Sequence, residues 1–318
     1  MTRALVTGVG GQDGHYLSRL LREKGYDVYG LDIRGDRDDD HSLVGDISDH
    51  SSLVSALRKA RPSEIYHLAA QSSVAASFQE EQATTAVNAH GLSHLIDACR
   101  EATIDLSKLR ICQASSSEIF GYRTPGVLDE LSPFRPETPY GRSKLIAHEY
   151  AISLRSDGIF ACNAIFFNHE SPLRPETFVT QKIATGVAKI ALGLEDSITL
   201  GDTSICRDWG FAADYVEAMW LMLRQAEPDD YVIASGEPHS IASFLECAFE
   251  HAGVSDWERH VSTDQRFIRK VDATILYGNP AKARRVLGWK PRLTFQQLVA
   301  LMVDAALERL GSSIPDND

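Results

Sequence analysis

Ala4-Leu5-Val6-Thr7-Gly8-Val9-Gly10-Gly11-Gln12-Asp13-Gly14 begins as a short apolar strand and turns through glycines. It then opens an amphipathic helix that runs on through Leu17, Leu20 and Leu21. Gly8, Gly11 and Gly14 keep a G-x-x-G-x-x-G spacing. Without side chains, such a turn lets a pyrophosphate approach the backbone N–H groups and positive dipole end of the helix. The placement between strand and helix, more than the glycines alone, marks a dinucleotide site, with Gln12 and Asp13 at its rim. Asp32 closes the next strand, Asp27–Asp32, where a carboxylate would bind the adenosine ribose hydroxyls. Asp36, Asp38, Asp39 and Asp40 in the following loop repel a 2′-phosphate, while Arg34 and Arg37 could clamp one. The balance favours NAD over NADP. Asp46-Ile47 fits a loop under the adenine, or simply a turn at a strand end.

The same alternation continues outward. Leu53–Ala60 reads as helix, Glu64–Leu68 as strand, Thr85–Ala98 as helix, Arg110–Gln113 as strand and Ala161–Phe167 as strand. Strands alternating with helices predict an α/β fold with a doubly wound, parallel Rossmann-type sheet. After Asn168 the rhythm weakens. Helical patterns at Thr180–Leu192, Ile241–Ala252, Pro280–Leu287 and Phe295–Leu310 suggest a smaller C-terminal α/β substrate-binding domain. The expected division is 1–167 for the dinucleotide and 168–318 mainly for substrate, with part of 205–235 returning to the first domain.

Ser116-Ser117-Glu118 and Tyr140-Gly141-Arg142-Ser143-Lys144 carry the chemistry. Tyr and Lys four apart share a helix face, with Cβ atoms about 5–6 Å apart. Thr138 and Pro139 read as N-cap and first helical residue. A free phenol titrates near 10. Lowering it by about three units needs roughly 4 kcal/mol, which a neighbouring ammonium and a nicotinamide cation can supply.

Composition narrows the partners. The chain has 318 residues, 32 Lys and Arg against 44 Asp and Glu, and a formal charge of −12, which argues against a nucleic-acid surface. Cys99, Cys112, Cys162, Cys206 and Cys247 show no metal-ligand spacing and read as free thiols, so no metal is expected. No apolar run reaches 18 residues, and a cytoplasmic protein without a membrane partner is expected.

The chain resembles the extended short-chain dehydrogenase/reductases and, among them, the GDP-mannose 4,6-dehydratase family. The resemblance runs along nearly the whole chain. It rests on Gly11–Gly14, Leu68-Ala69-Ala70-Gln71-Ser72 and Gln113–Glu118. It continues through Asn168-His169-Glu170-Ser171-Pro172, Glu176–Thr180, Arg207-Asp208-Trp209-Gly210, Gly278–Ala283 and Leu287-Gly288-Trp289-Lys290-Pro291. Such enzymes oxidise a nucleotide sugar at C4, eliminate water across C5–C6 and return the hydride to C6.

The resemblance implies that Tyr140 is the base for the C4 hydroxyl and that Lys144 binds the nicotinamide ribose. Ser116 would hydrogen-bond the C4 oxygen, and Glu118 would remove the C5 proton and help expel the C6 hydroxyl. Leu68, Ala70, His169 and Arg174 would join the cofactor site. Ser117, Asn168, Val179, Lys182, Arg207, Arg269 and Asp272 would line the nucleotide-sugar site. A homodimer through helices near Thr85–Ala98 and Tyr140–Ser153 follows as the family expectation, with a tetramer as the alternative.

Departures from the family pattern are a short, acidic loop after the second strand, Ser116 for a threonine, and Asp272 for a glutamate. They leave room for a dehydratase of another GDP-hexose. A nucleotide-sugar reductase or epimerase is the competing enzyme class, disfavoured by Glu118. A dinucleotide-sensing regulator is the non-enzymatic one, disfavoured by the intact Tyr/Lys pair.

Overall fold

The computed structural model describes residues 1–35, 39, 41–124, 126–267 and 275–312. The chain divides into two units. The first comprises Met1–Phe167, Ala212–Ile233 and Gly278–Lys290, and the second the remainder. The helical pattern at Pro280–Leu287, expected in the C-terminal domain, instead belongs to the first unit. Its Ala283 and Leu287 are buried in that unit's core with Trp289.

The first unit is built on strands β1 (Arg3–Thr7), β2 (Asp27–Asp32), β3 (Ser42–Val44), β4 (Glu64–His67), β5 (Arg110–Ser116) and β6 (Phe160–Phe166), plus Asp230–Ile233. Their spatial order is Asp230–Ile233, β6, β5, β4, β1, β2, β3, and every neighbouring pair is parallel. This is the doubly wound, Rossmann-type order, with its switch point between β1 and β4.

The strands are apolar on both faces, as a sheet covered on both sides requires. Ala4 and Val6 point into one core with Leu17, Leu21, Val216 and Met219 from helices Gln12–Glu23 and Ala212–Met222. Leu5 points into the other with Leu57, Leu95, Ala151 and Leu154, from helices His50–Ala60, Gly91–Glu101 and Pro139–Ser156. The predicted Thr85–Ala98 helix divides into a π-turn at Thr85–Ala89 and the helix Gly91–Glu101.

The second unit has its own core. Ile183, Val187, Phe244, Phe249, Phe295, Leu298 and Met302 come from helices Val179–Ala191, Ile241–His251 and Phe295–Gly311. Trp209 joins them from strand Cys206–Phe211, which pairs with Pro238–Ser240, Asn168–Glu170 and Ile275–Leu276. The weak strand rhythm after Asn168 reflects segments only two or three residues long around that one longer strand.

Candidate active site

The glycine turn leaves β1 at Gly8, whose φ of +71° disfavours a side chain. A Cβ there would stand 2.8 Å from Ala69 N, in the Leu68-Ala69-Ala70 segment that runs off β4. A Cβ on Gly14 would meet Val9 Cα and Gly8 O at 2.5 Å. Leu68 N–H donates to Thr7 O at 3.2 Å, so Leu68 and Ala70 lie beside the turn. Gly10 N–H and Arg34 N–H donate to the two oxygens of Asp32 at 3.0 and 3.3 Å. The second strand therefore ends with its carboxylate against the turn, as a ribose-binding group requires.

Gln12 and Asp13 open the helix and bond each other, Gln12 Nε2 donating to Asp13 Oδ1 at 3.2 Å. Asp46 is committed to a local turn, accepting from Ser48 N–H at 2.8 Å and Ser48 Oγ–H at 2.6 Å. Ile47 is buried in the sheet core. The close-packed glycines and the carboxylate at the next strand end fit a dinucleotide.

The second cluster forms where β5 ends. Ser116 Oγ accepts from Glu118 N–H at 3.2 Å and starts the single turn Ser117–Phe120. The half-buried Glu118 carboxylate is held through Oε2, which accepts from Tyr122 O–H at 2.6 Å and Thr138 O–H at 3.4 Å. Thr138 also accepts from Gly141 N–H at 2.9 Å and so caps helix Pro139–Ser156. One hydroxyl thus ties the start of the Tyr/Lys helix to the carboxylate. Gly141 permits the approach, since a Cβ there would lie 2.6 Å from Glu118 O. Ser117 is buried beneath this turn.

Tyr140 N–H donates to Ser77 Oγ at 3.2 Å, and Lys144 Nζ lies 5.8 Å from the Tyr140 ring centre. Lys144 is buried and donates to Ala114 O at 2.9 Å. Burial pushes its ammonium down to about 8, and the Asp13 carboxylate opposes that fall. His67, on β4, is driven down to about 3, first by burial and then by the Lys144 charge. At neutral pH the lysine stays largely cationic beside a neutral imidazole, the field that favours a phenolate.

In the second unit, Asn168 pairs with Trp209, placing it one strand away from the buried Arg207, which donates to Cys206 O at 2.7 Å. His169 is half-buried beside Asn168. Arg174 lies 3.2 Å from Glu170 Oε2, and its guanidinium sits 3.6 Å from the Phe178 ring centre. Val179 begins the helix that carries Lys182. Lys182 Nζ donates to Thr199 O at 2.7 Å and lies 4.1 Å from the Phe267 ring centre. Arg269 and Asp272, together with Asp36, Arg37, Asp38 and Asp40, lie outside the described residues.

Sequence reasoning missed Tyr122, Ser77 and Asp13 as supports of the Glu118, Tyr140 and Lys144 cluster. Tyr122, four residues after Glu118, carried a faint signal. Ser77 carried none.

A parallel sheet with a glycine turn on its first strand and a Tyr/Lys helix against its fifth defines a Rossmann-type protein of the nucleotide-sugar epimerase/dehydratase class. A Thermus thermophilus UDP-glucose 4-epimerase solved with NAD has the same fold. Its TM-score is 0.83 at 27% identity, covering 96% of this chain and 99% of that one. The family model described as GDP-mannose 4,6 dehydratase matches residues 5–302. GDP-mannose 4,6 dehydratase 1 of Arabidopsis thaliana is 45% identical, over 96% of this chain and 90% of its own length. The Homo sapiens GDP-mannose 4,6 dehydratase is 39% identical over 98% and 92%. The chain belongs to the GDP-mannose 4,6-dehydratase family.

Proposed function

We propose that the chain is a nucleotide-sugar 4,6-dehydratase, a hydro-lyase that converts GDP-mannose to its 4-keto-6-deoxy product with a nicotinamide cofactor. Family membership supports the reaction class. The observation that carries the chemistry is Glu118, whose carboxylate is held by two hydroxyl donors on the segment that begins at Ser116. Beyond a nicotinamide to take the hydride, oxidation at C4 asks of the protein only a phenol and an ammonium. Elimination needs in addition a carboxylate that takes the C5 proton and hands it to the leaving hydroxyl.

In this reading the first unit binds the dinucleotide. Gly8, Gly11, Gln12, Asp13 and Gly14 form the pyrophosphate turn, Asp32 and Arg34 the ribose end, and Asp46, Ile47, Leu68 and Ala70 the adenine side. His169 and Arg174 are assigned to the cofactor as well. A nicotinamide held there would supply the hydride acceptor for C4 and the donor for C6, so the net change would be loss of water.

Tyr140 takes the C4 hydroxyl proton, with Lys144 stabilising the phenolate and Ser116 donating to the C4 oxygen. The resulting ketone acidifies the C5 hydrogen. Glu118 removes that proton and passes it to the departing C6 hydroxyl, and when hydride returns to C6 the proton taken up by Tyr140 goes to C5, so that only water is lost. Ser117, Asn168, Val179, Lys182, Arg207, Arg269 and Asp272 are assigned to the nucleotide sugar, the cations to its diphosphate.

Incubation with GDP-mannose and catalytic NAD, followed by mass spectrometry, should show a product lighter by one water. Unchanged mass with net cofactor turnover would instead make the protein a reductase. NAD is the preferred cofactor in this proposal, because the Asp32 carboxylate stands against the glycine turn where a 2′-phosphate would add like charge. Titration with both dinucleotides tests this, and tighter NADP binding would refute it. A homodimer is proposed through helix Pro139–Ser156, whose Ile146 and Ile152 are 44% and 38% exposed. Light scattering of the purified protein decides between monomer, dimer and tetramer.

A further inference from the structure

One level of the parallel sheet is polar from β1 to the last strand. Thr7 pairs with His67, His67 with Gln113, Gln113 with Asn163, and Asn163 with Asp230. Register partners in a parallel ladder present their side chains on one face. Here it is the face of Leu5, Ile65, Ile111 and Ala161, otherwise apolar. Thr7, His67, Gln113 and Asn163 are at most 2% exposed. Burying such groups is costly unless they are paired, and apolar residues would fill the layer at lower cost.

The row grips helix Pro139–Ser156. Asn163 Nδ2 donates to His148 O at 3.1 Å and to Asp230 Oδ1 at 2.9 Å. Ser115 Oγ, on the same face of β5 as Gln113, is hydrogen-bonded to His148 Nδ1 at 3.0 Å. Asp230 Oδ2 lies 3.6 Å from His148 Nε2, and Arg155 pairs with Asp230 Oδ1. The Phe134 ring packs edge-on against the imidazole at 5.0 Å. One helical turn earlier, Lys144 Nζ and Gln113 Nε2 both donate to Ala114 O, at 2.9 and 3.0 Å. Ala114, Ser115 and Ser116 thus hold, in succession, the catalytic lysine, His148 and the start of the Glu118 turn.

We infer that His148 is a positioning residue for the dehydratase reaction: it locks helix Pro139–Ser156 against β5 so that Lys144 stays on Ala114 O beside Tyr140. His148 is 0% exposed, closed off from any ligand in solution. Burial holds it neutral, down to about 4, against the pull of Asp230 and with the help of Arg155. It therefore offers one donor and one acceptor throughout the working range and adds no charge to the field on Lys144. The charge that raises the Lys144 titration is the Asp13 carboxylate, and Lys144 in turn depresses His67.

The turnover arm of the test rests on the proposed function; the titration arm does not. Protein labelled with 13C-lysine is titrated by NMR as wild type, His148→Ala, His148→Gln and Ser115→Ala, and kcat and KM for GDP-mannose are measured on the same samples. In His148→Ala the Lys144 titration should move upward from near 8 by at least about half a unit as the ammonium is released toward solvent. At the same time kcat should fall about tenfold with KM little changed. His148→Gln, which keeps a donor and an acceptor, should recover most of both.

A folded His148→Ala protein with a lower melting temperature but unmoved Lys144 titration and kcat would overturn the inference. If His148→Ala does not fold, Ser115→Ala removes one hydroxyl and decides in the same way: a shifted Lys144 supports the inference and an unmoved one overturns it. A wild type that fails to dehydrate GDP-mannose would defeat the functional reading, while the lysine titration would still decide the role of His148.

Discussion

At the glycine turn the chain makes room by leaving atoms out; at the end of β5 it fills space with polar side chains from distant segments. Gly8 and Gly14 work because a Cβ at either would run into Ala69 or Val9. Glu118 works because Tyr122 and Thr138 hold it, while Lys144 is set by Ala114 and Asp13. The first region is steric, a short run of glycines packed against itself and against Ala69. The second is electrostatic and assembles residues from 13 to 144. Failure should differ accordingly: the turn loses binding and stability together, whereas losing the Glu118 carboxylate removes chemistry while cofactor binding survives.

The largest expected effect breaks the second region alone. Glu118→Gln keeps the shape but removes the base, and turnover should fall by about 10³-fold or more with dinucleotide affinity unchanged. Normal turnover would end the assignment of Glu118. Next comes the turn. Gly14→Ala should destabilise the protein by about 1–3 kcal/mol in urea unfolding and weaken NAD binding. In Gly11→Ala the nearest atom to the new Cβ would be Gly8 O at 3.4 Å, and the loss should be much smaller. Equal losses at both positions would show that the turn is not governed by close packing.

Tyr122→Phe sharpens the contrast further. Removing one donor to an ionised carboxylate costs about 1.5 kcal/mol or more, so kcat should drop about tenfold while NAD affinity holds. A change confined to NAD affinity would place Tyr122 in the other region.

The smallest effect concerns pH. His67 and His148 titrate near 3 and 4 in the folded protein against about 6.5 unfolded. As pH falls below 6.5 the unfolded chain takes up protons that the native state refuses, so stability is lost with acid. The slope is at most about 1.4 kcal/mol per pH unit for each histidine. Lys144 has the same sign in another window, since its folded value near 8 lies below the unfolded one near 10.5, and stability from this group rises between them. Urea midpoints from pH 6.5 to 4.5 should fall less steeply in His67→Gln than in wild type. Identical slopes would mean that His67 is protonated in the native state.

Much of the fold was legible along the chain because it is encoded between near neighbours. Ala4–Thr7, Asp27–Asp32 and Ala161–Phe167 are apolar runs of strand length, and the structure has strands at Arg3–Thr7, Asp27–Asp32 and Phe160–Phe166. Thr138-Pro139 announces its helix because a cap and a fixed φ act locally. The helical pattern at Pro280–Leu287 was legible as a helix, yet nothing local says which core receives it. Ala283, Leu287 and Trp289 enter the first unit's core because partners distant in sequence lie there. The short strands around Cys206–Phe211 were illegible for a related reason, since two or three residues carry too little periodicity to stand out.

The sequence by itself determined the glycine turn, the alternation of strands and helices, and the residue types proposed for oxidation and elimination. Each depends on spacing within a few residues, where backbone geometry leaves little choice. Only the tertiary structure decided how those groups are held. Thr138 reaches Glu118, Ser77 meets the Tyr140 backbone, and Thr7, His67, Gln113, Asn163 and Asp230 fall into one buried row. Such contacts exist once strand register is set, and register is a property of the whole sheet, fixed by burying both of its faces at once.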